Sequence, residues 1–172
     1  ATSYLKEAYM ELKDLIEKFS DTKENQQKAV FNTIFIAGNK LQTIFDQHIP
    51  DISLKQFMLL STIRHADKQM TFTQLGELLG CSRQNIKKIA SVLEKKGYVN
   101  IQTSSEDSRA QCICPTAKVQ DFFENTFHQY QKELKFLFEV YTDEEMEMLF
   151  HLMMKLYDGI EHLESAVSKD EA

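Results

Sequence analysis

The stretch Ser82-Arg83-Gln84-Asn85-Ile86-Lys87-Lys88-Ile89 gathers the residue types best suited to selective polar recognition. Gln and Asn carboxamides pair with adenine edges, Arg and Lys with guanine edges, and both cations with phosphate. If Ile86, Ile89 and Leu93 are the buried side of a helix, a rotation of about 100° per residue puts Gln84, Lys88, Ser91 and Lys95 opposite them. Arg83, Asn85 and Lys87 flank that face. Ser82–Lys96 holds five cations against Glu94, a net +4, and the free amides of a helix N-terminus add positive dipole. Gln84, Asn85 and Lys88 are therefore expected at base edges, with Ser82, Arg83 and Lys87 shared between phosphates and bases. Further on, Ser104-Ser105-Glu106-Asp107-Ser108-Arg109 is a polar tip with one cation. Arg109 suits a minor groove, where Arg reads width and negative potential. Asp107 is expected to be structural, holding the tip or Arg109.

Such residues need a rigid helix presented at a fixed angle. Thr71 can cap a short helix that buries Phe72, Leu75, Leu78 and Leu79 and ends at Gly80. Ser82 caps the next, which buries Ile86, Ile89, Ala90 and Leu93 and stops at Gly97 with Lys95 and Lys96 in its last turn. Two helices joined by so tight a turn make a helix-turn-helix, whose second helix enters the DNA major groove. Tyr98–Thr103 and Ala110–Cys114 read as two strands of a hairpin wing, stopped by Pro115, after which Thr116 can cap a helix.

The rest of the chain reads as helix. Amphipathic stripes run from Leu5 to Phe19, from Val30 to Phe45 and, behind Ser53 as N-cap, from Phe57 to Ile63. Ser20–Gln27 and His65–Gln69 read as polar breaks. A long helix follows Thr116, and Thr142 with Glu145 forms a capping box for the last one. Phe122, Phe127 and Phe138 point in differing directions round one helix, and a helix apolar on several faces needs a second partner. A homodimer built from the terminal helices meets that need. The expected architecture is mainly α with a small β-wing: residues 1–48 as N-terminal dimerisation helices, 49–116 as a winged helix, 117–172 as C-terminal dimerisation helices, in one compact domain.

The chain of 172 residues has a net charge of −6, with 42% hydrophobic residues, 5 Gly and 2 Pro, a balance that excludes a disordered or collagen-like chain. Taken whole, −6 opposes nucleic-acid binding. Divided, it does not: residues 71–110 carry +2, while residues 140–172, with two Lys against nine Asp and Glu, carry −7. The longest apolar runs, such as Ile34–Ala37, are far below the roughly 20 residues of a membrane span, and the N-terminus lacks the pattern of a secretory signal. Cys81, Cys112 and Cys114 make an odd count without CxxC, as expected for free thiols in a reducing cytoplasm.

Ser82–Ile89, leading to Leu93-Glu94-Lys95-Lys96-Gly97-Tyr98-Val99, resembles the recognition helix and exit of the MarR family of bacterial transcriptional regulators. Asp107-Ser108-Arg109-Ala110, ending at Thr116, is similar to that family's wing signature, and Ser53-Leu54-Lys55-Gln56-Phe57 to its helix entry. The similarity runs over about residues 30 to 141. Pro115 replaces the usual Leu before Thr116, Lys118-Val119 stands where a Gly is usual, and the wing is acidic for the family. The resemblance implies a dimeric winged helix with interlocking terminal helices. It implies palindromic binding of double-stranded DNA, usually as a repressor, often relieved by a small aromatic or phenolic effector or by oxidation. It names no pocket residue and no cofactor.

Other residues have plainer readings. Cys81 precedes a helix N-cap, where a dipole can lower a thiol pKa; a thiol-based redox sensor is one alternative, against a small residue packing the turn. A winged helix that binds protein instead of DNA is another. Cys112 and Cys114 share a strand face, as a metal or redox pair or as filling. Glu147/His151 and Asp158/His162 have spacing that can hold a metal but read as exposed neighbours. Met146, Met148, Met153 and Met154 read as flexible packing. Without a phosphate-cradling Gly loop, HExxH or GxSxG, no enzyme is expected.

Overall fold

Five hydroxyl side chains decide where helices begin in the computed structural model, which describes residues 2–105 and 107–170. Thr22, Ser53, Thr71, Ser82 and Thr142 each accept the backbone N–H three residues on, a cap worth about 1 kcal/mol. Ser53–Gln56, Thr71–Gln74 and Thr142–Glu145 close full capping boxes. The elements are α1 (Thr2–Lys18), α2 (Lys23–His48), α3 (Leu54–His65), β1 (Met70–Thr71), α4 (Phe72–Leu79), α5 (Arg83–Lys95), β2 (Val99–Thr103), β3 (Gln111–Pro115), α6 (Ala117–Asp121), α7 (Phe127–Phe138) and α8 (Asp143–Asp170). A π-helical turn, Phe122–Thr126, stands between α6 and α7.

The mainly helical fold with a small antiparallel wing is the one expected. Where one compact domain was expected, the chain divides into two compact units, Ala1–Asp121 and Phe122–Ala172. The first holds α1, α2 and the winged helix. Its core gathers Phe45, Leu59, Leu60, Phe72, Leu75, Ile86, Leu93 and Ile113, all at most 2% exposed. The sheet order is β1-β3-β2, with Ile113 opposite both Met70 and Ile101. The second unit opens on an aromatic cluster. Phe123 stands edge-on to Phe122 and Phe127 at 5.3 and 5.5 Å, and Phe127 meets Tyr130 at 5.9 Å.

Several local expectations are corrected. The polar stretch Ser20–Gln27 is only partly a break, because Thr22 caps α2 and the helix starts at Lys23. Residues 70–71 form a strand that two residues are too short to announce by alternation. Leu78 is 63% exposed: Phe72, Leu75, Gly76 and Leu79 define the inner side of α4, and Leu78 lies about 110° away from it. Thr116 spends its hydroxyl on the carbonyls of Gly97 and Tyr98, at 2.7 and 3.0 Å, instead of capping α6. The long helix after it is interrupted where the π turn rotates its faces.

Exposed apolar side chains run along α1 and α2 (Leu5, Leu15, Phe31, Phe35) and, within the second unit, along α8 (Phe150, Leu152, Tyr157, Leu163). Among the described residues no helix is long and apolar enough to cross a membrane.

Candidate nucleic-acid interface

The turn before α5 is shaped by two glycines. Gly80 takes φ +63°, a left-handed conformation that L side chains rarely adopt. Gly76 has no such φ; it is needed for space. A Cβ there would lie 2.5 Å from the Cys81 carbonyl oxygen, because the chain folds back so closely that Cys81 N–H donates to the Gly76 carbonyl at 2.8 Å. Ser82 then starts α5, its Oγ accepting from Asn85 N–H at 3.2 Å.

Within α5, Ile86, Ala90 and Leu93 have no exposed surface, while Ser82, Arg83, Gln84, Asn85, Lys87, Lys88 and Lys95 are all exposed. The predicted recognition residues thus share one open face and the helix N-terminus. Ser91, expected on that face, and Ile89, expected in the core, are both half-buried.

The exit of α5 carries interactions that sequence reasoning missed. Gly97, at φ +78°, lets its N–H reach the Glu94 carbonyl at 2.9 Å and Tyr98 N–H reach the Leu93 carbonyl at 2.9 Å, a Schellman motif. The Glu94 carboxylate accepts the Ile101 N–H at 2.8 Å, tying strand β2 to the recognition helix. Lys96 donates to the Asp51 carbonyl and, at 3.4 Å, to Gln56 Oε1, fixing the end of α5 to the start of α3. Lys118 donates to the Lys96 carbonyl at 2.8 Å and sits 4.3 Å over the Tyr98 ring. Thus Lys118 caps the C-terminal end of α5. Burial, then the carboxylates of Asp51 and Asp121, push the Tyr98 hydroxyl above its usual pKa. The legible signals were the i,i+7 reach of Glu94 and an unexplained Gly inside α4.

At the wing tip Asp107 is a turn former. Its carboxylate accepts Arg109 N–H at 2.9 Å, and its carbonyl accepts Ala110 N–H at 3.0 Å. Ser104 N–H closes the loop on the Ala110 carbonyl at 2.8 Å. Arg109 is exposed beside it; Glu106 lies outside the described residues. Cys81 is half-buried in the turn, its Sγ 3.5 Å from the Leu79 carbonyl oxygen. Among the described residues no group of three or more His, Cys, Asp and Glu is arranged to hold a metal, and the Glu147/His151 and Asp158/His162 pairs belong to no such group.

The fold is shared with known proteins. A MarR family model matches residues 51–110. An HTH-type transcriptional regulator of Bacillus subtilis, YcgE, is 29% identical over 92 residues, 54% of this chain and 60% of the relative. The match thus spans about three-fifths of that relative's length. A MarR/EmrR family regulator from Acinetobacter sp. ADP1 superposes with a TM-score of 0.67 at 23% identity, over 79% of this chain and 97% of its own. The S. aureus MepR–DNA complex gives 0.66 at 17% identity, over 75% and 96%. The fold expected from the α5 exit and the wing is borne out, and the family resemblance is matched over residues 51–110.

Proposed function

We propose that this chain, MarR-like in its winged helix, is a sequence-specific double-stranded-DNA-binding transcriptional regulator. The observation that carries this reading is the open face of α5. Arg83, Gln84, Asn85, Lys87 and Lys88 stand exposed over a fully buried Ile86, Ala90 and Leu93, and the adjoining wing presents Arg109. The description of the Bacillus subtilis relative as a transcriptional regulator, and the capture of MepR on DNA, support it. Gln84, Asn85 and Lys88 contact base edges, Ser82, Arg83 and Lys87 contact phosphates and bases, and Arg109 enters the minor groove, with Asp107 shaping its turn.

The protein acts as a homodimer. The exposed apolar faces of α1, α2 and α8 support an interface there, since patches of this kind mark association surfaces. Two recognition helices then read a palindrome with half-sites roughly 10 bp apart. It works in the cytoplasm as a repressor relieved by a small aromatic or phenolic effector, a part of the reading supported by family resemblance alone.

The test is a titration of the promoter upstream of its own gene across a salt series, with light scattering on the free protein. Binding that weakens with salt is expected. Absence of salt-dependent binding would favour a protein-binding winged helix, and a monomer in scattering would remove the palindrome. A thermal-shift screen with phenolic acids tests the effector, which stabilises as its concentration passes Kd.

A further inference from the structure

A helix about 10–12 Å across fills a major groove about 12 Å wide, so a strand of phosphates runs along each of its flanks. At about 100° per residue, α5 turns Arg83, Lys87 and Glu94 to one flank, where the Glu94 carboxylate holds Ile101 of the wing. Asn85, Ile89, Val92 and Lys96 fall on the other. Among the described residues of α5 and its cap, that second flank has no uncommitted cation, because Lys96 is spent on the Asp51 carbonyl and Gln56 Oε1. The same two bonds lay the first turn of α3 beside it.

That turn is a firm base. Asp46 Oδ1 accepts the Leu54 N–H at 2.6 Å, and Ser53 and Gln56 close the capping box. Leu54 and Gln56 are half-buried, whereas Lys55 is exposed. Among the described residues Lys55 has no hydrogen bond or ion pair, unlike Lys96 and Lys118. A cleft of about 270 Å³ is lined from α3 by Lys55 and Met58, from α5 by Asn85 and Ile89, and from the turn between α4 and α5 by Cys81. Its apolar side chains suit the methylene stem of a lysine, whose ammonium stays in water at the rim. Lys55 thus adjoins Asn85, a residue assigned to a base edge, on the flank that lacks a cation.

We propose that Lys55, outside the helix-turn-helix, contacts a DNA backbone phosphate along the flank of α5 opposite the wing. The inference rests on the DNA-binding reading and completes it. Arg83 and Lys87 serve the backbone on the wing side, and Lys55 serves the backbone on the α3 side. A lysine meets phosphate as a point charge, so this contact fixes the position of α5 in the groove and carries no sequence information.

The experiment titrates the full chain, across a salt series, with the promoter upstream of its own gene and with a scrambled duplex of the same length. Lys55→Met keeps the stem and the helix and removes the charge, and thermal unfolding confirms that it folds as the wild type does. Its salt slope should be shallower by about one unit for each protomer bound, with the same fold-loss of affinity on both duplexes. Lys55→Arg should keep the wild-type slope. A residue that merely positioned α5 would instead cost promoter affinity with the slope kept. An unchanged slope in Lys55→Met, or a loss confined to the promoter duplex, would overturn the contact and leave the DNA-binding reading standing. A wild type without salt-dependent binding to either duplex would remove both.

Discussion

Replacing Gly76 with Ala sets two opposed effects against each other. Gly76 lies inside α4 without the left-handed φ seen at Gly80 and Gly97, so on helix propensity alone Ala should stabilise by about 1 kcal/mol. Yet its Cβ would meet the Cys81 carbonyl oxygen at 2.5 Å, where ordinary contact begins at 3.4 Å. The obstacle is backbone, held by the Cys81-to-Gly76 hydrogen bond, so the turn must open by about 0.9 Å or that bond must break. Overpacking of this kind costs about 1–3 kcal/mol. The net is a loss of up to about 2 kcal/mol, a fall in Tm of up to about 8 °C for a chain of this length. Gly38→Ala is the control: it too is helical, but nothing lies within 4 Å of its Cβ, so a rise of about 2–4 °C is expected. Thermal unfolding of both variants reads the difference in sign. Duplex titration at low temperature should show Gly76→Ala losing specific affinity because α5 is re-aimed, with its salt slope kept because no phosphate contact is removed. If Gly76→Ala stabilises as Gly38→Ala does, the turn is not closed by this contact and the argument fails.

Other substitutions probe the same assembly. Lys88→Ala and Arg109→Ala should each weaken operator binding, and each that contacts phosphate should flatten the salt slope by about one unit. Glu94→Ala should cost about 1 kcal/mol by orphaning the Ile101 N–H, with faster amide exchange there, while Glu94→Gln keeps an acceptor and should restore protection. Burial holds the Tyr98 and Tyr130 hydroxyls above their ordinary 10.0. Above that value the unfolded chain loses these protons first, so stability is complete below about pH 10 and falls as pH rises toward the folded pKa values. Tyr98→Phe should therefore show a shallower alkaline loss in urea unfolding; an unchanged alkaline limb would exclude Tyr98 as its source.

The helix starts were legible because capping is local: Ser53, Thr71, Ser82 and Thr142 each announce themselves within four residues. The inner side of α5 was legible because Ile86, Ala90 and Leu93 repeat at helical spacing. Contacts that join distant segments were not. Lys96 meets Asp51 across 45 positions and Lys118 meets the Lys96 carbonyl across 22, and no periodicity encodes either. Strand β1 exists because Met70 and Thr71 find Ile113 and Cys112, a pairing decided by tertiary approach. Leu78 misled because composition marked it apolar, while the closeness of α4 to the turn, set by Gly76, decided which side faces inward. The same closeness made a helix-interior Gly a structural signal.

The exit of α5 divides the basic residues by task. Lys96 and Lys118 look like part of a basic surface in the sequence, but hydrogen bonds to carbonyls commit both to holding the helix in place. Glu94, the acidic residue of the segment, is committed to Ile101. Among the cations of α5, Arg83, Lys87, Lys88 and Lys95 remain for the open face, joined by Arg109 on the wing. These five cations per protomer, ten in a dimer, bound their share of the salt slope at about −9 if every one meets a phosphate. Any of them that reads a base lowers that figure. The net charge of −6 hides this because the −7 of residues 140–172 lies wholly in the second unit, mostly along α8. On the proposed reading, the open face of α5 therefore carries its own local positive surplus toward DNA.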